Sequence, residues 1–179
     1  MCSPAIANAS INLDFSAPNQ SANSIDIGIV VSGLGTGSAP SLGSYDVDIQ
    51  FDSHHIAFSA AAFGDPVLGN QLDLFDFGLN ESLASVSDAG VLNLFEISLD
   101  DDLNNFQANS FTLAVLTFDI LTSDTSQLEF VINDFGDAND NLLSVNTGTA
   151  TITTVPLPSA LLLMVSGLGM LLKKTSRKL

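Results

Sequence analysis

The sequence predicts an all-β protein, an antiparallel jelly-roll β-sandwich of about nine strands, followed by one C-terminal transmembrane helix. Three observations predict it. Tyr45, Val47, Ile49 and Phe51 alternate with Asp46, Asp48, Gln50 and Asp52, and only a strand sorts such a period of two onto separate faces. Clusters rich in Gly, Asp and Asn punctuate similar runs, with no sustained helical periodicity among them. Finally, an almost unbroken apolar stretch from Ser159 to Leu172 precedes all four basic residues of the 179-residue chain.

The strands follow in order. Ile11, Leu13 and Phe15 alternate with Asn12 and Asp14, and Ile25, Ile27, Ile29 and Val31 share one face of the next run. After the strand at 45–51, Phe111 to Ile120 is nearly continuous apolar sequence, the pattern of a central strand covered on both sides. Leu128, Phe130 and Ile132 give another strand, and Thr149 to Thr154 is β-branched enough for the last. Shorter candidates are His55 to Ser59, Gln71 to Phe75 and Val91 to Ser98. Turn clusters lie at Gly33 to Gly37, Gly64 to Pro66, Asp100 to Asn105 and Asp134 to Asn141. Glu81 to Gly90, rich in Ser and Asp, has room for one helical turn.

Composition sets the limits. Hydrophobic residues make up 46% of the chain and Phe occurs twelve times, which excludes intrinsic disorder. The residues between the termini suffice for one domain, assigned to 10–154. A single cysteine, Cys2, rules out an intramolecular disulfide, and no apolar segment precedes it as a lipoprotein signal requires. Residues 1–9 read as a signal-peptide remnant, because Ala7-Asn-Ala9 is a small-x-small pattern of the signal-peptidase type. The basic and apolar regions of such a signal are missing ahead of it. Either the true start lies upstream of Met1, or the pattern is chance.

Charge is segregated. All twenty acidic residues lie before residue 141, and the four cations, Lys173, Lys174, Arg177 and Lys178, lie in the last seven positions. Without that tail the net charge of −16 becomes about −20. Nucleic-acid binding is excluded, since phosphate contacts need basic side chains. Divalent cations and neutral partners suit such a surface.

The stretch Ile25 to Phe58 carries a strand, a Gly-rich loop, and then Gly43-Ser-Tyr-Asp-Val-Asp-Ile-Gln-Phe-Asp52. It resembles the N-terminal half of a cohesin-type domain, with its aromatic–Asp alternation. Phe111 to Ile120, Leu128 to Asn133 and a Thr-rich closing strand fit the second half. The resemblance covers 10–154 and implies a nine-stranded jelly roll related to carbohydrate-binding modules. The best-known cohesins bind dockerin modules, so a dockerin-like module or an exopolysaccharide is the implied partner. Fold analogy alone does not transfer that partner. Tyr or Trp platforms would favour sugar, yet there is no Trp and the one Tyr, Tyr45, is read as core-facing.

Residues 155–179 form a segment of their own. A helix over residues 159–172 would be about 21 Å long, against a hydrocarbon core of about 30 Å. Snorkelling Lys173 and Lys174 narrows that gap. A buried core helix is the competing reading; the basic cluster directly after the run favours a membrane span with residues 173–179 cytoplasmic. The order of Val155-Pro156-Leu157-Pro158, apolar helix and basic tail resembles the PEP-CTERM sorting signal of Gram-negative bacteria. Leu157 stands where that signal more often has Glu. The resemblance implies transient inner-membrane insertion, processing by an exosortase, and delivery to the cell surface or extracellular matrix. Pro156 and Pro158 hold the chain extended ahead of the helix, a form that a protease accepts.

No enzyme constellation is legible. His54 and His55, read as neighbours on a strand, point to opposite faces and cannot chelate one metal together. Twenty acids offer many pairs for glycoside hydrolysis, but sequence gives no separations. Asp134, Asp137, Asn139 and Asn141 supply oxygens at spacings found in calcium loops, though without the EF-hand's sixth-position Gly and distal Glu. An Asx-rich turn between strands is the favoured reading of them. Asp100, Asp101 and Asp102 with Asn104 and Asn105 form a weaker cluster. The expectation is therefore a non-enzymatic exported protein without a required cofactor, with a carbohydrate- or dockerin-binding module as the alternative and a glycosidase third.

Overall fold

The computed structural model describes residues 10–154. Eleven strands and one helical turn occur among them: β1 (Ser10–Phe15), β2 (Asn19–Gln20), β3 (Ser24–Ser32), β4 (Leu42–Gln50), β5 (Ile56–Phe63), β6 (Asn80–Asp88), β7 (Val91–Ser98), α1 (Leu103–Phe106), β8 (Ser110–Ile120), β9 (Thr125–Asp137), β10 (Ser144–Thr147) and β11 (Thr149–Thr153). They make a two-sheet sandwich. One sheet runs β10-β1-β3-β8-β5, with β2 on β3; the other runs β11-β9-β4-β7-β6. Every pairing is antiparallel except β1 with β10.

Period-two burial builds the core. Ile25, Ile27, Ile29 and Val31 of β3 face Tyr45, Val47 and Ile49 of β4 across the sandwich, all of them buried. Phe15 of β1 stacks on Phe130 of β9 with ring centroids 3.9 Å apart, joining the two sheets. Phe118 takes Phe51 and Phe58 edge-on at 5.2 and 6.1 Å.

Bulges explain where the apolar pattern departs from alternation. Between Ile29 and Val30 the register of β3 with β8 shifts, so Leu113 is unpaired and the inward set changes from Phe111 and Leu113 to Leu116 and Phe118. Phe111 to Ile120 therefore reads as continuous without being covered on both sides: Thr112, Val115 and Thr117 lie on the outer face, partly exposed. A second bulge, at Asn133 opposite Asp46 and Val47, switches β9 from Ile132 to Phe135. A third, at Ser59, does the same for β5.

Other expectations need correction. Glu81 to Gly90 holds no helical turn: it is edge strand β6, paired along its length with β7 and closed by Gly90 at φ +78°. Gln71 to Phe75 is not a strand but a series of turns, because its N–H groups go to loop partners instead of a ladder: Leu72 to the Asn70 side chain, Asp73 to the Asn70 carbonyl and Leu74 to Asp100. The Asp100 to Asn105 cluster contains α1, anchored by buried Leu103. The strand at Val91 to Ser98 is as expected, whereas the short β2 and β10 carry no apolar alternation that marks them. No helix among the described residues is long and apolar enough to cross a membrane. The expected span at 159–172 lies outside those residues.

One acid is wholly inside. Glu96 of β7 is 0% exposed and accepts from Tyr45 Oη (3.0 Å), Asn70 Nδ2 (2.6 Å) and Asn80 Nδ2 (2.7 Å). Burial, and next the neighbouring Glu96 charge, push the Tyr45 phenol well above its usual pKa, so it remains a donor. Three further carboxylates shape loops. Asp65 accepts backbone N–H groups of Val67, Leu68 and Thr112; Asp73 accepts those of Phe77, Gly78 and, at 3.4 Å, Leu79; Asp137 accepts those of Asn139 and Asn141. For Asp137, burial alone raises the pKa. Hydrogen bonds from the Asn141 backbone and side chain and from Asn139 outweigh it and hold the carboxyl below its ordinary value.

Two outcomes follow. Tyr45→Phe leaves one Glu96 oxygen without its donor in the interior and is expected to lower unfolding free energy by about 1–3 kcal/mol, read by urea denaturation. A depressed folded pKa at Asp137 contributes stability above the unfolded value of about 3.9, lost as pH falls through the folded value. Asp137→Asn is thus expected to be less stable than the parent at neutral pH. The gap should narrow as unfolding is repeated from about pH 6 to about pH 2, where both side chains are neutral. A gap constant with pH would contradict this assignment.

Candidate binding face

The two outer faces of the sandwich differ. On the sheet built from β1, β3, β8 and β5, no large apolar side chain is strongly exposed. Its outer side shows hydroxyls, amides and small residues, with Thr117 Oγ1 donating to Asp26 and Asn146 Nδ2 to Ser10 Oγ. The outer face of the β9-β4-β7-β6 half presents apolar groups instead. Register places Leu83 of β6 opposite Phe95 of β7, and Glu81 opposite Ile97. Leu83 is 55% exposed, and Val131 of β9, opposite Asp48, is 40% exposed.

An acidic row lies beside that stripe. Asp46 and Asp48 project outward from β4, since Tyr45, Val47 and Ile49 take the inward positions. Among the described residues amides hold them: Asn93 Nδ2 donates to Asp46 Oδ1 at 2.7 Å and Asp48 Oδ1 at 2.9 Å, and Asn133 Nδ2 to Asp46 Oδ1 at 3.1 Å. No Lys or Arg occurs in residues 10–154. Fixed carboxylates flanking exposed Leu83 and Val131 and half-buried Phe95 on a sheet complement a partner that brings apolar side chains and hydrogen-bond donors.

The calcium candidates are only partly brought together. Asp137, Asn139 and Asn141 share one turn, where both Asp137 oxygens receive N–H groups, including the Asn141 side-chain amide at 3.1 and 3.2 Å. A cation there would have to displace those donors. Asp134 stands apart on β9, paired with Asp46 on the outer face. Asp100, Ser98, Ser44 and Asp140 join Asp137 around a cleft of about 60 Å³. Among the described residues no three His, Cys, Asp or Glu side chains form a metal-binding group.

His54 and His55 occupy a turn after β4, not a strand, and both approach Asp52. His54 Nδ1 lies 3.1 Å from Asp52 Oδ1; His55 Nδ1 lies 3.1 Å from Asp52 Oδ2, at an angle that makes no hydrogen bond, with Nε2 3.4 Å from Asp124. The His54 backbone N–H leads the contacts that hold the Asp52 carboxyl below its ordinary pKa. The sorting residues Val155, Pro156, Leu157, Pro158, Lys173, Lys174, Arg177 and Lys178 lie outside the described residues, as does Cys2. Tyr45 faces the core as expected, 1% exposed. Sequence reasoning passed over Asn93, Glu96 and the sheet face itself. Their signal was present: in Leu92, Leu94 and Glu96 the inward parity of β7 includes the glutamate, which leaves Asn93, Phe95 and Ile97 outward.

No family model and no curated protein matches the sequence. Solved structures do match in fold. The sixth cohesin of scaffoldin B from Acetivibrio cellulolyticus, solved in complex with a Cel5 dockerin mutant, is similar with a TM-score of 0.64 at 12% identity, covering 82% of this chain and 99% of that one. A non-cellulosomal cohesin from the archaeon Archaeoglobus fulgidus gives 0.59 at 13% identity, covering 85% and 96%. A Clostridium acetobutylicum cohesin gives 0.61 at 17% identity, covering 83% and 92%. At such identities the likeness speaks for the fold alone. The two-sheet sandwich of this chain is cohesin-like.

Proposed function

We propose that this chain is a non-enzymatic, exported binding module of cohesin type, which takes a dockerin-like protein module on the outer face of β9, β4, β7 and β6. The observation that carries the reading is that face: exposed Leu83 and Val131, with half-buried Phe95 and Ile97 on the same side, beside carboxylates held by Asn93 and Asn133. The fold supports it, since several cohesins of like fold were solved in complex with dockerins. The C-terminal order of Pro motif, apolar run and basic tail supports export through the inner membrane and processing by an exosortase.

Binding is tested by calorimetry of the purified chain against the dockerin-type modules encoded by its host. Leu83→Ser and Val131→Ser are expected to weaken the complex about tenfold each, as loss of an interface anchor does. Asp119→Asn on the opposite sheet is expected to change nothing. Silence across all such modules, with a positive glycan array, would replace the protein partner by a polysaccharide.

Sorting is tested by fractionating the host. Processed protein is expected outside the inner membrane, and deleting the exosortase is expected to leave a longer, membrane-held form. Unchanged size and location after that deletion would refute the sorting reading.

A further inference from the structure

We infer that the loop end of the sandwich carries a second docking surface, centred on Phe75, Phe77 and Phe106, for a protein segment that presents apolar side chains beside lysines or arginines. Phe77 is 73% exposed and Phe106 63%, with Phe75 between them at ring-centroid distances of 5.8 and 6.1 Å. Leu99, 62% exposed, and Leu79 lie at the adjoining ends of β7 and β6, joined by the Leu99 N–H to the Leu79 carbonyl. Five large apolar side chains in one exposed cluster are unusual for a surface that meets only water.

The cluster is built rather than left over. Asp73, itself buried, spends its carboxylate on the N–H groups of Phe77 and Gly78, and so fixes the turn that turns Phe77 outward. Leu72, 1% exposed, anchors the same loop, and Ser98 Oγ donates to its carbonyl. Buried Gln107 follows α1 and bonds both backbone groups of Leu42 and the Gln71 carbonyl, tying the Phe106 turn to the Phe75 loop. A rigid apolar platform loses little conformational entropy on binding.

Charge selects the occupant. Asp76 lies between the two loop phenylalanines, and Asp101 and Asp102 precede α1; all three are exposed. A second copy of this sandwich has no Lys or Arg to offer them, and would set like charges face to face. The segment that fits therefore carries its own cations around an apolar stripe.

This end also faces away from the chain's exit. β11 ends opposite Thr125, and Thr154 is held by Thr122 and Asp124, at the end where β4 finishes. The patch lies where β4 begins, about 25–30 Å away along the strands. A module held through its C-terminal segment presents the patch outward.

The test uses the purified full chain and a fluorescent helical peptide of about 14 Leu and Lys residues, with Leu spaced at i, i+3, i+4 and i+7 so that one face is apolar and the other cationic, read by anisotropy. Phe77→Ser with Phe106→Ser is expected to weaken binding at least about tenfold. Asp76→Asn with Asp101→Asn is expected to weaken it severalfold and to reduce its sensitivity to salt up to roughly 0.5 M. Leu83→Ser, on the sheet face, is expected to leave it unchanged, which separates this site from the dockerin-like reading. All four substituted side chains of the first two variants are exposed, and circular dichroism checks their folding. Equal binding by the double phenylalanine variant overturns the proposal, as does a neutral glucan that binds through Phe77 where the peptide does not.

Discussion

Carboxylates without cations are the constraint on which the rest of this structure depends. Twenty acids and no Lys or Arg share residues 10–154, so among the described residues no carboxylate has a lysine or arginine to pair with. Each one drawn inward must be satisfied by neutral donors, because an unpaired buried charge is too costly to keep. Glu96 has a phenol and two amides, and Asp65, Asp73 and Asp137 have backbone N–H groups; even on the outer face Asp46 and Asp48 have Asn93. The consequence is architectural. Loops fold around acids, and asparagines stand where other proteins place arginines.

Much of the sandwich was legible because burial and alternation coincide. The strands at Ile25 to Val31 and Tyr45 to Ile49 needed only parity. The rest was hidden where local rules compete. Bulges at Leu113, Asn133 and Ser59 reverse parity within a strand, which turns an outward Val115 into an apparent second buried face. β6 was obscured because this edge strand carries Ser on both sides and resembles a polar turn. Conversely, Gln71 to Phe75 has a strand's composition. Its backbone is captured by the Asn70 and Asp100 side chains, which sequence separations of up to 26 residues conceal.

The candidate face was half legible. Its acidic row follows from the alternation at Asp46 and Asp48, whereas its apolar stripe depends on pairing β6 with β7 in one register. The Asp134 to Asn141 stretch shows the opposite case. Its composition suggests a cation loop, yet the same oxygens at Asp137 are those an Asx turn uses, and only geometry tells which donors they face.

The single parallel pairing, β1 with β10, has a mechanical consequence. The sandwich begins at Ser10 beside Ser144 at the loop end and finishes at Thr153 at the other end, so its first and last strands both run along the long axis. Tension between those points pulls β1 lengthwise past β3 and β10, and β11 past β9. Their ladders are loaded in shear, all bonds together, rather than peeled one at a time. A sandwich tethered at one end and gripped at the other would yield late and abruptly.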